Sequence, residues 1–551
     1  MQLKDSNKYI LAFGLMLIAA FIQCYNTIHD LHWAYEPDFD RDIAYIRSLL
    51  DGNYGKDPNM AGQYMWYNPM LFWFETGAVK LTGLPINVVV ARAGAFINLL
   101  SPIAFFFMVA KLFDFRIALA SVLCFFFLIS GNLPCWGAAT YSPWLVSDTF
   151  SQFLFYITFF FCYKAFSEQK MYWFIILGAS LGLTFLGHSA PVFIIILIMI
   201  SVQGQNVIIV LKQKEYAAVG KYFLQGGLTI VPFIIFAFPF LYYVYGKYHL
   251  HFINHAILEC APGIFARKLT LQLLKLNVTF SLIISVIGIV WFYKKFQNPL
   301  LRKLVWNWLF ICAVMYVYES AVPTVDGILH IHLPDTIPAF HYFFYLKALQ
   351  SIFFGFGFIF LITWFWGWLQ SKRKSFKMAF SDNLVIAAVL LYALVYYPIY
   401  SNRVDFVELR QQALGKEKET DKIEVYNFIV KNVPLDNVML CPHGLSLFPV
   451  MPTAIKMVSV ETYFSNPYVS YDQREKDRVD MLNYLTDSTA ASPSVAKLFY
   501  KYHVNDILLA NDDYAKYKNP AFANSTAIFT NSSYTIVSFT LKPEAKAGVS
   551  L

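Results

Sequence analysis

The chain has 551 residues, of which 58% are hydrophobic, 19% aromatic and only 14% charged. Its mean hydropathy of +0.49 is well above that of water-soluble globular proteins. The composition therefore excludes an ordinary soluble enzyme and indicates a membrane protein. The net charge of +8 comes largely from short basic connections between apolar runs, so we expect no nucleic acid partner.

Apolar runs long enough to cross a bilayer of about 30 Å recur along the chain. They predict about eleven transmembrane helices in a polytopic α-helical membrane protein. The runs lie near residues 9–25, 86–110, 117–131, 147–163, 172–187, 190–211, 222–246, 276–293, 304–319, 341–369 and 384–400.

The distribution of Lys and Arg predicts the orientation, because positive residues are retained on the cytoplasmic side. Basic residues occur in alternate connections, whereas the loops at 131–146, 187–190 and 320–340 contain none. This alternation places the N-terminus inside. Residues 26–85, 247–275, 320–340 and the tail after residue 400 are then predicted to lie outside, on the far side of the cytoplasmic (inner) membrane.

The first outside loop begins with a cluster of acidic residues. The run EPDFDRD brings Asp38, Asp40 and Asp42 within five positions. One interpretation is a helix cap in a solvated loop. Carboxylates about 6 Å apart repel by roughly 3 kcal/mol at an effective dielectric constant near 20, so a cation, a proton or Arg41 must offset the cluster. Such clusters are often kept for function.

Two surface helices are predicted in the same loop. Residues 43–50 keep apolar side chains on one face at helical spacing. Residues 69–84 form the second predicted helix, in which Glu75 and Lys80 argue against a full membrane crossing.

Later outside segments supply further candidate site residues. Asp148 lies at the start of the fourth predicted span, where a helix cap and a second acidic site residue are both open interpretations. His188 lies in a short hairpin and is predicted to be a structural, hydrogen-bonded histidine. Arg267 is a candidate contact for a lipid headgroup or a donor phosphate.

The loop 319–350 is rich in ionisable residues. His341 and Lys347, at the start of the tenth predicted span, are candidates for binding a phosphate, although Lys347 could instead extend to the membrane surface. His330 and His332 form a His-x-His pair that could bind a metal ion.

The composition changes abruptly near residue 400, so we predict a membrane domain over 1–400 and an extracytoplasmic α/β domain over 401–551. In this tail, short strands are predicted at 437–441, 456–460, 506–510 and 534–541. Helices are predicted at 419–432, 473–486 and 494–502. The sequence contains no Gly-rich phosphate loop and no Cys-x-x-Cys pair, so we expect no nucleotide or redox cofactor.

Carboxylates outside a wide apolar body suit sugar transfer from a lipid-linked donor. An acceptor hydroxyl needs a carboxylate to take its proton, and a leaving lipid phosphate needs a cationic or metal partner. A transporter or a flippase for lipid-linked glycans is the alternative. It would favour charges at the centres of several spans, where this sequence has few.

The run PDFDRDIAYIRSLLDGNYGKDP, followed by YNPMLFWFETGAVKLTGLP, resembles the first periplasmic loop of the GT-C superfamily of glycosyltransferases. The group includes protein mannosyltransferases, aminoarabinose transferases and arabinofuranosyltransferases. The resemblance implies a multi-span catalytic body, a polyprenyl-phosphate-linked sugar donor and a glycan, lipid or protein acceptor at the outer surface of the membrane. It implies a hexosyl- or pentosyltransferase that inverts the sugar in a single displacement.

Carried over by residue, the resemblance implies that Asp38 is the base or orients the acceptor and that Asp40 completes an Asp-x-Asp motif. Some members use a divalent cation and others do not, so Mg²⁺ or Mn²⁺ on Asp38 and Asp40 is an open alternative. The chain departs from the pattern at 66–69, where Trp-Tyr-Asn-Pro replaces a basic Lys-Pro-Pro motif. A phosphate contact from that position is therefore not expected.

Overall fold

The computed structural model describes residues 3–128, 139–254, 267–330, 337–372, 380–486, 493–516 and 525–538. Every predicted apolar run overlaps helical structure within these ranges. The helices of the membrane body are Leu3–Ile28, Ile86–Arg92, Gly94–Ile97, Leu100–Leu112, Phe115–Leu123, Ser147–Glu168, Met171–Gly187, Ser189–Lys212, Tyr216–Leu241, Arg267–Leu276, Phe280–Lys295, Pro299–Leu329, Ala339–Lys372 and Asp382–Ser401, with π-helical turns at Cys124–Leu128 and Tyr242–Lys247.

Among the described residues, seven helices are long and apolar enough to cross a membrane, judged by length and composition. Many of their large side chains face outward, including Leu15, Ile235 and Leu394, as expected where lipid replaces water as the solvent. The protein is therefore a multi-pass membrane protein. The predicted number of eleven crossings stays a prediction.

Two membrane helices approach each other through glycine. A methyl group added to Gly288 would lie 1.8 Å from the carbonyl oxygen of Phe353, and one added to Gly357 would lie 2.0 Å from that of Ile284. Small residues allow such close backbone packing in membranes, where apolar burial drives helix association little. This contact fixes Ala339–Lys372, the helix that carries His341 and Lys347.

The two helices predicted in the first outside loop are present, at Pro37–Leu50 and Met70–Thr82. We call Pro37–Leu50 the acidic helix. Proline suits its first position because the ring fixes φ near the helical value and that position needs no amide hydrogen. The rings of Tyr45 and Phe72 stack at 4.5 Å and join the two helices.

The tail contains the predicted small sheet domain. Its five strands are β1 (Val438–Leu440), β2 (Lys456–Met457), β3 (Val504–Ala510), β4 (Thr526–Thr530) and β5 (Tyr534–Ser538). They form a mixed sheet of the order β2-β1-β3-β5-β4, in which β1 is parallel to β2 and β3, and β5 is antiparallel to β3 and β4. The longer helices are Val404–Lys416, Thr420–Asn432, Tyr471–Thr486 and Pro493–Lys501. Short helical turns lie at His443–Leu445, Ser446–Val450, Met451–Thr453, Thr462–Phe464 and Asn511–Tyr514.

All predicted tail strands and helices coincide with elements of the structure, whereas β4 was not predicted. β4 is an edge strand, and four of its five residues are exposed. Without a buried face there is no alternation of apolar and polar residues to detect. The predicted domain boundary at residue 400 stays a prediction.

Candidate active site

The acidic helix holds an arginine between two aspartates. Nη1 of Arg41 donates to Oδ1 of Asp38 at 2.5 Å, and its Nε and Nη2 donate to Oδ1 of Asp42 at 2.9 and 2.6 Å. Arg41 and Asp42 are buried, whereas the Asp38 side chain is 38% exposed. Asp38 therefore presents a carboxylate that a substrate can reach.

Asp40 lies on the opposite side of the same helix, since two residues correspond to a rotation of about 200°. Its Oδ1 accepts a hydrogen bond from Nζ of Lys416 at 2.7 Å, and both side chains are buried. Burial raises the pKa of Asp40, while the charge of Lys416 lowers it. Asp38 and Asp40, predicted together as catalytic residues, thus lie in different environments.

Tyr67 connects Arg41 to a second group of ionisable residues. The guanidinium carbon of Arg41 lies 3.9 Å from the centre of the Tyr67 ring. The hydroxyl of Tyr67 lies 3.3 Å from Oγ of Ser147, which precedes Asp148 at the start of Ser147–Glu168. The aromatic run that departs from the family motif therefore supplies a contact to the arginine.

Asp148, His188 and His341 form what we call the Asp148 cluster. Oδ1 of Asp148 lies 3.1 Å from Nε2 of His188 and 3.2 Å from Nε2 of His341. The two imidazole rings stack with centres 4.8 Å apart. Three separate helix ends supply these side chains, so only the tertiary fold brings them together.

Hydrogen bonds to Nδ1 indicate which nitrogen of each histidine carries a proton. Nδ1 of His188 accepts from the amide of Ala190 at 3.2 Å and caps the following helix. The proton of neutral His188 is then on Nε2, which donates to Asp148. Nδ1 of His341 lies 3.1 Å from the carbonyl oxygen of Pro338, which can only accept, so that nitrogen carries a proton.

The donor atoms of the Asp148 cluster lie within 4.8 Å of one another, close enough for one metal ion. Asp148 and His341 suit a divalent cation, because the Pro338 carbonyl directs the lone pair of neutral His341 to Nε2. His188 does not suit it, because its Nε2 carries the proton. The predicted metal pair Asp38 and Asp40 lies on opposite sides of the acidic helix, where each carboxylate already has a cationic partner.

The other predicted site residues lie apart from the Asp148 cluster or outside the described side chains. Lys347 is buried. Its Nζ donates one hydrogen bond to Oδ1 of Asn277 and another, of 2.8 Å, to Oε1 of Gln350. His330 is exposed beyond the end of Pro299–Leu329. Arg267 begins the helix Arg267–Leu276, but its side chain is outside the described residues, as is His332 altogether.

Arg41 and His188 make contacts that the sequence does not predict. Arg41 appeared only as a charge that offsets the aspartates, although its Asp-x-x-Arg spacing already places it one turn from Asp38. His188 was expected to be structural, and it does cap a helix. No local pattern indicates that its other nitrogen contacts Asp148.

No protein-family model and no curated protein matches the chain. Among solved structures, the chain is similar to the aminoarabinose transferase ArnT from Cupriavidus metallidurans bound to undecaprenyl phosphate, with 13% identity, a TM-score of 0.55 and coverage of 95% of this chain and 97% of that one. The apo state of that protein gives 14% identity, a TM-score of 0.52 and coverage of 96% and 97%.

The oligosaccharyltransferase from Archaeoglobus fulgidus tethered with an acceptor peptide is also similar, with 10% identity and a TM-score of 0.52. The match covers 90% of this chain and 69% of that one. Both neighbouring proteins are GT-C glycosyltransferases. At these identities the likeness shows the fold alone: this chain has the fold that ArnT and the oligosaccharyltransferase share, and this is the fold that the resemblance of the first outside loop implied.

Proposed function

We propose that the protein transfers a sugar from a polyprenyl-phosphate-linked donor to an acceptor at the outer face of the membrane. The observation that carries the proposal is the position of Asp38. Its carboxylate is partly exposed and pairs with Arg41. Arg41 contacts the Tyr67 ring, and the Tyr67 hydroxyl lies beside Ser147, the residue before Asp148. The helix ends that meet here are those predicted to face outside.

Asp38 acts as the general base. It takes the proton of the acceptor hydroxyl while that oxygen bonds to the anomeric carbon of the donor sugar. The bond between the anomeric carbon and the phosphate oxygen breaks in the same step, and its electron pair leaves with the lipid phosphate. The anomeric configuration is therefore inverted.

Cationic groups stabilise the leaving phosphate. Arg41 is preorganised for this role because Asp38, Asp42 and the Tyr67 ring hold its guanidinium in one orientation. His341, Lys347 and Arg267 are further proposed contacts to the phosphate, which His341 and Lys347 would reach only by exchanging their present partners, Asp148 for His341 and Asn277 and Gln350 for Lys347. A divalent cation, if used, would be held by Asp148 and His341 and would neutralise charge on the phosphate.

The fold neighbours support the proposed classes of donor and acceptor. ArnT was solved with undecaprenyl phosphate and the oligosaccharyltransferase with an acceptor peptide. We propose that this chain likewise uses a polyprenyl phosphate carrier, with a hexose or pentose as the transferred sugar. The tail would recognise a glycan, lipid or protein acceptor outside the inner membrane, with the N-terminus inside.

The test is a transfer assay with purified protein in lipid nanodiscs. A panel of labelled polyprenyl-phosphate sugars is offered with envelope extracts, and proton NMR of the product gives its anomeric configuration. We expect transfer with inversion. Retention of configuration would contradict the single displacement. Movement of a labelled lipid-linked glycan across sealed vesicles without any transfer would support the flippase alternative.

A further inference from the structure

The tail holds the acidic helix from the side opposite Asp38. The helix packs against residues 446–453 of the tail, and Nη2 of Arg47 donates to the carbonyl oxygen of Val430 at 2.9 Å. At a rotation of 100° per residue, Arg41 and Asp42 lie on the same side as Asp38, while Asp40 lies opposite. One helix therefore contacts the candidate site with one side and the tail with the other.

The contact between Asp40 and Lys416 is enclosed by aromatic rings. Nζ of Lys416 lies 4.5 Å from the centre of the Phe448 ring and 5.5 Å from the centre of the Trp33 ring, and all three side chains are buried. These rings keep water away from the ion pair, so its attraction is less screened than that of a surface pair. Because both charges are desolvated, losing one leaves the other buried without a partner.

Neighbouring contacts fix the end of the tail helix that carries Lys416. Oε1 of Glu417 accepts from the amides of His32 and Trp33 at 2.5 and 3.2 Å. Six residues before Lys416 on the same helix, Arg410 donates two hydrogen bonds of 2.7 Å to the carboxylate of Asp30. The position of Lys416 is thus set relative to the end of the first membrane helix.

We propose that Lys416 is a positioning residue of the active site: by pairing with Asp40 it fixes the acidic helix against the tail and so sets where Asp38 and Arg41 lie. The inference rests on the proposed function for its catalytic consequence. The two acidic residues of the Asp-x-Asp motif then have separate roles. Asp38 contacts substrate, and Asp40 couples the extracytoplasmic tail to the site.

The test uses Lys416→Met in the full-length protein. Its matched control is Lys422→Met, which removes the same type of side chain from a partly exposed ion pair with Glu419 in the tail. Hydrogen–deuterium exchange of residues 37–50 is measured together with the kcat of transfer and the KM for the lipid donor. We expect faster exchange in the acidic helix and a kcat reduced about tenfold to a hundredfold, with KM nearly unchanged, because misplacement of about 1 Å has effects of this size.

Two further variants separate positioning from simple stability. Lys416→Arg keeps the charge and should retain most of the kcat. The double variant Asp40→Asn with Lys416→Met should lose little more than either single variant, because both substitutions remove the same contact. Unchanged exchange and kcat in Lys416→Met, or a loss of kcat matched by an equal loss in the control, would overturn the proposal.

The exchange measurement requires no substrate, so it also distinguishes the two proposals. If the wild type transfers no sugar but Lys416→Met still releases the acidic helix, the proposed function fails while the coupling stands. If the wild type transfers sugar and the helix is unaffected, the coupling fails alone.

Discussion

Nε2 of His188 lies 3.1 Å from Oδ1 of Asp148, and its Nδ1 caps the next helix. Burial lowers the pKa of His188 to about 4, although Asp148 acts in the opposite direction. Below about pH 6.5 the unfolded chain protonates this histidine, whereas the folded protein does so only near pH 4. The free energy of unfolding therefore falls as the pH drops through that window, by about 3 kcal/mol in total.

This pH dependence predicts a melting temperature that decreases from pH 6.5 to pH 4 in nanodiscs. In His188→Asn the decrease should be smaller, because asparagine also caps helices but does not titrate. His249→Asn replaces an exposed histidine and serves as the control. Equal pH dependence in all three proteins would show that His188 is not the residue responsible.

Asp38→Asn should reduce the kcat of sugar transfer about a hundredfold or more, because the amide cannot accept the acceptor proton. The matched control is Asp51→Asn, an exposed aspartate just beyond the same helix. A folded Asp38→Asn protein that transfers sugar as fast as the wild type would exclude Asp38 as the base and direct attention to Asp148.

Arg41→Lys should lower kcat/KM about tenfold or more, although the charge is retained. A lysine cannot form the planar contacts with two carboxylates or lie flat over the Tyr67 ring. Arg116→Lys, at a partly exposed pair on the predicted cytoplasmic side, should transfer sugar normally. Wild-type kinetics in both variants would argue that only the charge at position 41 matters.

Lys347→Gln tests the predicted contact of this lysine with the donor phosphate. Loss of a charged hydrogen bond should raise the KM for the lipid donor about tenfold or more. Lys303→Gln removes a lysine from a predicted cytoplasmic connection and should leave that KM unchanged. An unchanged KM in Lys347→Gln would show that Lys347 has a structural role, through its hydrogen bonds to Asn277 and Gln350.

Gly288→Ala should destabilise the membrane body, because its methyl group would overlap the carbonyl oxygen of Phe353. Overpacking of this kind costs about 1–3 kcal/mol. Gly367→Ala is the control, since no atom of the described residues lies within 4 Å of its added methyl group. Thermal unfolding in nanodiscs measures the melting temperature of both variants. Equal melting temperatures would show that the two helices can move apart at position 288 without loss of stability.

Much of the architecture is local in origin and could be predicted. Long apolar runs, the alternation of basic connections and the amphipathic segments of the first loop each follow from a short stretch of chain. The described helices agree with the predicted apolar runs and with the two helices predicted in the first outside loop, whereas the orientation stays a prediction. The exposed edge strand β4 was missed because it buries almost nothing.

The arrangement of the site depends on how segments that are far apart in the sequence pack against each other. The sequence by itself placed Asp38 and Asp40 at the head of one predicted helix, and Asp148 and His341 at the starts of two predicted spans. Only the tertiary structure decided that Asp40 faces Lys416, that His188 joins Asp148, and that Tyr67 stacks on Arg41. Hydropathy and helical period specify which face is apolar. They do not specify which distant charge neutralises a buried carboxylate, because that choice is made when helices pack.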